Sequence, residues 1–112
     1  VIIAQEGSTH SFIFDEVDAG IGGATADAVG ERLARLANSK QVLVVTHAPQ
    51  VAARANYHWI VTKNDAKGVV TTDIQPLSSD QERREEVARM LAGADITDEA
   101  RAAAAKLIDQ AA

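Results

Sequence analysis

The stretch Phe12–Ala26, FIFDEVDAGIGGATA, decides the fold of this chain. Three apolar residues end on the adjacent carboxylates Asp15 and Glu16, and Asp18 follows shortly after. A short apolar run bounded by polar residues is typical of a strand buried on both faces, as in a parallel sheet. Carboxylates at the carboxyl end of such a strand lie where open α/β sheets bind their ligands. Because neighbouring anions repel one another and oxygen ligands suit Mg²⁺, the stretch predicts a magnesium site. The alternative on this stretch alone is a surface strand end with solvated carboxylates.

The second half of the stretch predicts a loop followed by a helix. Gly20, Gly22 and Gly23 lie close together, and glycine allows positive φ or a close approach of the backbone to a ligand. From Ala24 onward, apolar residues recur on one face at helical spacing. They are Ala26, Val29, Leu33 and Leu36. We expect this helix to end at Asn38, because asparagine tolerates a left-handed cap.

A second apolar run, Gln41–Thr46, predicts a second buried strand, and His47 follows it directly. A strand, a helix and a strand form a crossover unit in which the two strands are parallel. Since the carboxyl ends of parallel strands meet at one edge of the sheet, we expect His47 to lie beside the two carboxylates. Pro49 suits the first turn of a short helix that runs to about Ala55.

The middle of the chain predicts a β-hairpin. The segments Tyr57–Lys63 and Val69–Leu77 are rich in residues that favour strands. Five mostly polar residues, Asn64 to Gly68, separate them, and a loop of this kind predicts a hairpin connection.

Two further helices are expected at the C-terminal end. The spacing of Ser79 and Glu82 is that of a capping box, and Gly93 is a natural end for the first helix. Its apolar face is Val87, Met90 and Leu91. Thr97 caps the second helix, and we expect the apolar stripe of that helix to pack on the sheet. The stripe consists of Ala100, Ala103, Ala104, Leu107, Ile108 and Ala111.

Length and composition indicate one small globular α/β domain or a piece of a larger one. The chain has 112 residues, of which 46% are hydrophobic and 24% charged, so it can form a packed core. The net charge of −5 argues against a broad nucleic-acid-binding face in this segment. There is no cysteine, which excludes disulfides and thiolate metal sites. No apolar run approaches the length of a membrane span, and we expect a cytosolic protein.

Three runs of the sequence resemble a known family. They are FIFDEVDAGIGGATADAVG (12–30), QVLVVTHAPQVAARA (41–55) and EEVARMLAGADITDEARAAAAKL (85–107). These runs resemble the C-terminal part of the RecN family of bacterial DNA repair proteins. That family belongs with the structural-maintenance-of-chromosomes (SMC) group of ATP-binding-cassette ATPases. The resemblance implies an α/β fold that forms the C-terminal lobe of a P-loop ATPase head.

The resemblance assigns roles to individual residues. Asp15 matches the Walker B aspartate, which holds Mg²⁺ through water. Glu16 matches the glutamate that polarises the attacking water as general base, and His47 matches the switch histidine that contacts the γ-phosphate. The resemblance gives no definite role to Asp18 or Gln50.

A glycine-rich segment of this chain matches the D-loop of the family. The segment begins at Ala19 and continues through Gly20, Ile21 and Gly22. In the family this loop crosses the ATP-bridged dimer interface and reaches the partner's nucleotide, so these residues are expected to bind the cofactor. ATP and Mg²⁺ are the implied cofactors.

The rest of the head is expected to come from other parts of the protein. The sequence has no G-x-x-x-x-G-K-[ST] phosphate loop and no serine-glycine-glycine signature. The resemblance implies an N-terminal lobe with that loop, a coiled coil and a signature helix that ends at Val1–Ala4. It also implies a homodimer of ATP-bridged heads, DNA binding by the full-length protein and a place at the bacterial nucleoid in the cytoplasm. The segment alone is expected to be inactive.

Two other interpretations use features of the same sequence. A metal-dependent nuclease or phosphatase would take Asp15, Glu16 and Asp18 as ligands, although such sites need carboxylates that converge from several elements. A non-catalytic interaction module would use the alanine-rich stripe at 100–111 to dock a partner helix or a second copy.

Overall fold

The protein, described by a computed structural model at residues 11–16 and 20–111, combines two small sheets with four helices. The elements in chain order are β1 (Ser11–Asp15), α1 (Gly23–Leu36), β2 (Gln41–Val45), α2 (Pro49–Ala52), β3 (Trp59–Ala66), β4 (Val69–Pro76), α3 (Asp80–Ala92) and α4 (Asp98–Ala111). The α/β fold with parallel strands, a hairpin and two C-terminal helices is therefore confirmed. None of the described helices is long and apolar enough to cross a membrane.

The first sheet is the parallel pair β1 and β2. The strands run in register from Ser11 opposite Gln41 to Asp15 opposite Val45. Phe14 on one face is buried and stacks on the ring of Phe12, with ring centroids 6.2 Å apart. This face is the one that the helices cover, since α1 packs against β2.

The opposite face of this sheet is exposed, so the prediction that both strands are buried on both faces is wrong. Ile13 is 75% exposed, its neighbour Leu43 is 50% exposed and Val45 is 47% exposed. The apolar sequence pattern is that of a two-sided strand, but nothing in the described residues covers the second face.

Helices α1 and α2 pack closely because one position on α1 has no side chain. A Cβ on Gly30 would lie 3.1–3.2 Å from Arg54 Cδ, Gln50 O and Val51 Cα. The guanidinium of Arg54 donates hydrogen bonds to Asp27 Oδ1 from Nε and Nη2, at 3.3 and 3.0 Å. The seam between the two helices therefore combines a close backbone contact with an ion pair.

The ends of α1 and α2 differ from the predicted ends. Ala37 follows α1 in right-handed helical conformation, and Asn38 does not adopt the expected left-handed cap. The chain leaves α1 instead through turns in which N–H groups of residues 38–40 bond to the carbonyls of Arg35 and Leu36. Helix α2 ends at Ala52, earlier than the predicted Ala55.

The hairpin β3–β4 is longer than the sequence suggests. Its turn consists of Lys67 and Gly68, with φ values of 55° and 77°, rather than a five-residue loop. Two successive residues with positive φ are what a tight hairpin turn of type I′ requires. Asn64, Asp65 and Ala66 are therefore the end of β3, and the polar side chains of Asn64 and Asp65 reflect exposure rather than a loop.

Helices α3 and α4 pack on each other and form the main described core. That core consists of Val87, Ala88, Ala100 and Ala104, with Ile96, Leu107 and Ile108 partly buried around it. The prediction that the α4 stripe packs on the sheet is therefore wrong, because α3 covers it. Two residues assigned to apolar faces, Leu91 and Ala103, are exposed.

The predicted caps of α3 and α4 are confirmed. Ser79 Oγ accepts a hydrogen bond from the N–H of Glu82 at 3.1 Å, and the Glu82 carboxylate accepts one from the N–H of Ser78 at 2.9 Å. Gly93 ends α3 with a φ of 80°. Thr97 Oγ1 accepts from the N–H of Ala100 at the start of α4. The expected helix end at Val1–Ala4, and Asp18 and Ala19, lie outside the described residues.

Candidate functional site

The carboxyl ends of β1 and β2 bring Glu16 and His47 together. His47 Nε2 lies 3.8 Å from Glu16 Oε1, and both side chains are largely exposed, at 88% and 60%. Asp15 is exposed at the end of β1, opposite Val45 of β2. Three groups that sequence reasoning assigned to catalysis or metal binding therefore lie at one edge of one sheet. This edge is the candidate site.

The backbone fixes the direction in which Glu16 leaves the strand. Its N–H donates to the carbonyl of Val45 at 2.9 Å, which extends the ladder one step beyond β1. Its φ is 51°, in the left-handed region that residues with a Cβ seldom adopt. The chain therefore turns sharply at Glu16 while the residue is still anchored to β2.

A tight turn positions His47 between β2 and α2. Thr46 Oγ1 accepts a hydrogen bond from the N–H of Ala48 at 3.0 Å, a local bond that shapes turns after strands. Pro49 follows as the first residue of α2, where its fixed φ suits the start of a helix. His47 is thus held on a short segment between two ordered elements.

The glycine-rich segment before α1 is open. Gly20 has a φ of 76°, so this position requires the conformational freedom of glycine. Gly22 is the extended N-cap of α1, and its carbonyl accepts the helix's first bond from Ala26. A Cβ at Gly20 or Gly22 would meet no described atom within 4 Å, and Ile21 is half-buried. This segment is accessible to a ligand or a partner.

The donor set at the edge suits a magnesium ion that is brought in with phosphate groups. Mg²⁺ keeps several waters and is usually held by one or two carboxylates together with substrate phosphates. Asp15 and Glu16 offer exposed carboxylate oxygens of this kind. Within residues 11–16 and 20–111 no group of three or more potential ligands forms a metal cage. The three-carboxylate alternative depends on Asp18, which lies outside those residues.

Gln50, which has no role predicted from the sequence, lies against α1 in the structure. Its side-chain Nε2 would lie 3.3 Å from a Cβ on Gly23, the first residue of α1. The signal that points to this seam is Gly30, because an isolated glycine inside a helical pattern often marks a close packing contact.

The fold is similar to that of a solved chain. The chain superposes with a TM-score of 0.58 on a chain solved in work on the structural biochemistry of ATP-driven dimerisation and DNA-stimulated activation of SMC ATPases. The match covers 78% of this chain and 50% of that one, at 20% sequence identity. At this identity the likeness concerns the fold alone.

Curated relatives are considerably more similar in sequence. The chain is 52% identical over 100 residues to the DNA repair protein RecN of Xylella fastidiosa, 56% over 85 residues to that of Deinococcus radiodurans and 41% over 110 residues to that of Bacillus subtilis. These matches cover 89%, 76% and 98% of this chain but only 18%, 15% and 19% of the relatives. No family model matches the chain. On these similarities, the chain belongs to the RecN family and corresponds to the C-terminal part of its members.

Proposed function

We propose that this segment is the C-terminal lobe of an ATPase head and supplies the magnesium and water half of an ATP-hydrolysis site. The observation that carries the proposal is the 3.8 Å approach of His47 to Glu16 beside Asp15, at the carboxyl edge of two parallel strands. Membership of the RecN family and the SMC-type fold favour this chemistry over the metal-dependent nuclease. In the intact protein the activity would serve DNA repair, the role named for the relatives.

Each residue at the edge has one task in this proposal. Asp15 would hold Mg²⁺, and the bound ion would offset negative charge on the phosphates. Glu16 accepts a hydrogen bond from the attacking water and takes its proton as general base. His47, beside Glu16, donates a hydrogen bond to the terminal phosphate. Its exposure leaves the ring accessible to a nucleotide that approaches from solvent.

The phosphate-binding half of the site comes from a part of the protein outside this chain. Without a phosphate loop, the edge has no backbone amides to cradle a triphosphate. The relatives are about five times longer than this segment, so an N-terminal lobe is available in the same polypeptide.

A cleft in this segment supports the presence of such a lobe. A cleft of about 830 Å³ lies between α1, β2 and the start of β3, with Val42, Val44 and Trp59 among its lining residues. β2 pairs only with β1, and β3 only with β4, among the described strands. We assign this cleft to the N-terminal lobe.

Head dimerisation and DNA binding belong to the intact protein in this proposal. Gly20, Ile21 and Gly22 form the open segment that reaches across an ATP-bridged homodimer to the partner's nucleotide. DNA contacts lie elsewhere, because this segment carries a net charge of −5. The intact protein would work at the nucleoid in the bacterial cytoplasm.

The test uses ATP turnover by the intact protein that contains this segment. Glu16→Gln, which keeps the shape and removes the base, is expected to lower kcat about a hundredfold or more while ATP binding persists. His47→Ala is expected to lower kcat in the same direction, and Asp15→Asn to raise the Mg²⁺ requirement. Glu99→Gln, a matched loss of one exposed carboxylate on α4, serves as the control.

Two results would contradict the proposal. One is wild-type turnover in Glu16→Gln. The other is Mg²⁺-dependent cleavage of DNA by the protein that Asp15→Ala abolishes, which would support the nuclease interpretation instead.

A further inference from the structure

Gln50 links the two segments that carry the candidate site. It is the second residue of α2, which directly follows the turn that holds His47. Its side chain lies against the first residue of α1, since a Cβ on Gly23 would be only 3.3 Å from Gln50 Nε2. Gly23 in turn directly follows the open segment Gly20–Gly22. One side chain therefore spans the gap between the two segments.

The packing below Gln50 makes this link stiff. The backbone carbonyl of Gln50 would lie 3.2 Å from a Cβ on Gly30, which follows Gly23 by two turns on α1. Between these points the guanidinium of Arg54 bonds to Asp27. The side-chain amide and the backbone carbonyl of Gln50 thus both lie against α1. We therefore expect Gln50 to move together with α1.

The helix end beside Gln50 has no side-chain cap among the described residues. Gly22 caps α1 without a side-chain hydrogen bond, and the first turn of α1 has no acidic residue. The first N–H groups of a helix need an acceptor. Because the two ends of a glutamine amide are interchangeable by rotation, the oxygen of Gln50 reaches the same position as Nε2.

We propose that Gln50 is a positioning residue that sets the His47 turn relative to the segment Gly20–Gly22. This inference rests on the proposed function, in which one segment contacts the terminal phosphate and the other reaches the partner head. Gln50 does not touch the nucleotide in this scheme. It couples closure across the dimer interface to the placement of His47.

The experiment measures ATP turnover and thermal unfolding of the intact protein. Gln50→Ala is expected to lower kcat about tenfold, with KM for ATP changed less than about twofold, because misplacing a catalytic group slows the chemistry more than it weakens binding. Gln110→Ala on the exposed end of α4 is the matched control and keeps full turnover. Gln50→Glu, which keeps a side-chain oxygen at a similar distance from the backbone, is expected to retain at least about half of the wild-type turnover.

A second substitution tests the contact itself. Gly23→Ala places a methyl group against the Gln50 amide and is expected to lower kcat as well. Residues in contact are non-additive, so the double variant Gly23→Ala/Gln50→Ala should be no slower than Gln50→Ala. The melting temperatures of Gln50→Ala and Gln110→Ala should agree.

Three results overturn the inference. If Gln50→Ala turns over ATP as fast as Gln110→Ala, Gln50 does not position His47. If the losses of Gly23→Ala and Gln50→Ala are strictly additive in the double variant, the two residues are not coupled. If Glu16→Gln loses activity while Gln50→Ala does not, the inference alone fails. If Glu16→Gln keeps full activity, the proposed function fails and this inference with it.

Discussion

Glu16 occupies a backbone conformation that its side chain makes costly. Its φ of 51° lies in the left-handed region, where a residue with a Cβ loses about 1–2 kcal/mol. The bond from its N–H to the carbonyl of Val45 holds it there. Strained residues of this kind gather at functional sites. Glycine would adopt this φ without strain. The presence of glutamate therefore supports a functional requirement for its carboxylate.

The first prediction separates the carboxylate from the backbone at this position. Glu16→Gly is expected to unfold at a higher temperature than Glu16→Ala, by the equivalent of about 1 kcal/mol, because only glycine adopts this φ without strain. Both variants lack the carboxylate, so both should lose ATP turnover. Scanning calorimetry of the two proteins makes the comparison, and equal melting temperatures would show that the position is unstrained.

His58, just before β3, is half-buried among charged residues of α3. Its Nδ1 is buried without a hydrogen-bond partner in the described structure. Burial lowers the pKa of His58 from its ordinary value of 6.5, with Arg83 and Arg89 acting in the same direction and Glu86 opposing them. The folded protein therefore favours the neutral imidazole.

The second prediction concerns the pH dependence of stability. Because the pKa of His58 is lower in the folded chain, the unfolded chain takes up this proton first as the pH falls through 6.5. The free energy of unfolding should therefore decrease from pH 6.5 down to the folded pKa, and His58 should add no pH dependence above 6.5. Denaturant titrations across this range should show a flatter profile in His58→Gln. An unchanged profile would contradict the assignment.

At the scale of elements, Arg83 connects α3 to the end of α2. Its Nη2 donates to the carbonyl of Ala53 at 2.8 Å and more weakly to that of Ala52 at 3.5 Å. These carbonyls lie at the end of a very short helix, and that of Ala52 also accepts a hydrogen bond from the N–H of Ala55 at 3.2 Å. Burial lowers the pKa of Arg83, with Asp80 opposing. The guanidinium thus joins α3 to the helix that follows His47.

The third prediction compares two neighbouring arginines. Arg83→Ala is expected to reduce the free energy of unfolding by about 1–3 kcal/mol, since it leaves buried carbonyls without a charged donor. Arg84→Ala, one residue away and exposed, should change it by less than about 0.5 kcal/mol. Urea unfolding of the two variants measures the difference. Equal effects would mean that Arg83 carries no special contact.

Local patterns predicted the elements better than they predicted what covers them. Capping signals at Ser79 and Thr97 and the apolar periods gave helices and strands near their observed places, because these are decided within a few residues. The turn at Lys67–Gly68 was missed, since lysine is rarely found at positive φ. The alanines of α4 form the same apolar stripe whether they pack on a sheet or on α3, so the sequence does not reveal the packing partner. The approach of Glu16 to His47 followed from parallel pairing, whereas the contact of Gln50 depends on helix packing that no local pattern reveals.

At the scale of the whole molecule, large apolar surfaces lie open. One is the sheet face with Ile13 and Leu43, and another is the hairpin face where Val61 stands opposite Ile74. Trp59 extends the second surface. Contiguous apolar surface of this kind marks a site of association. The chain spans less than a fifth of its relatives' length, and under the proposed function the rest of a longer protein would cover these faces.

The fourth prediction concerns the isolated segment of 112 residues. We expect it to self-associate in sedimentation experiments and to hydrolyse no ATP, because its apolar faces and its phosphate site both lack their partner lobe. Ile13→Thr with Leu43→Thr should reduce the association by making one face polar. A clean monomer at high concentration, or Glu16-dependent turnover by this segment alone, would contradict the assignment as one lobe of a head.

The most direct test of the central claim is the structure of the intact protein with Mg²⁺ and a non-hydrolysable ATP analogue. We expect the terminal phosphate to lie at the carboxyl edge of β1 and β2, with the metal beside Asp15 and with Glu16 and His47 facing the phosphate. A nucleotide bound away from this edge, with its phosphates remote from all three side chains, would contradict it.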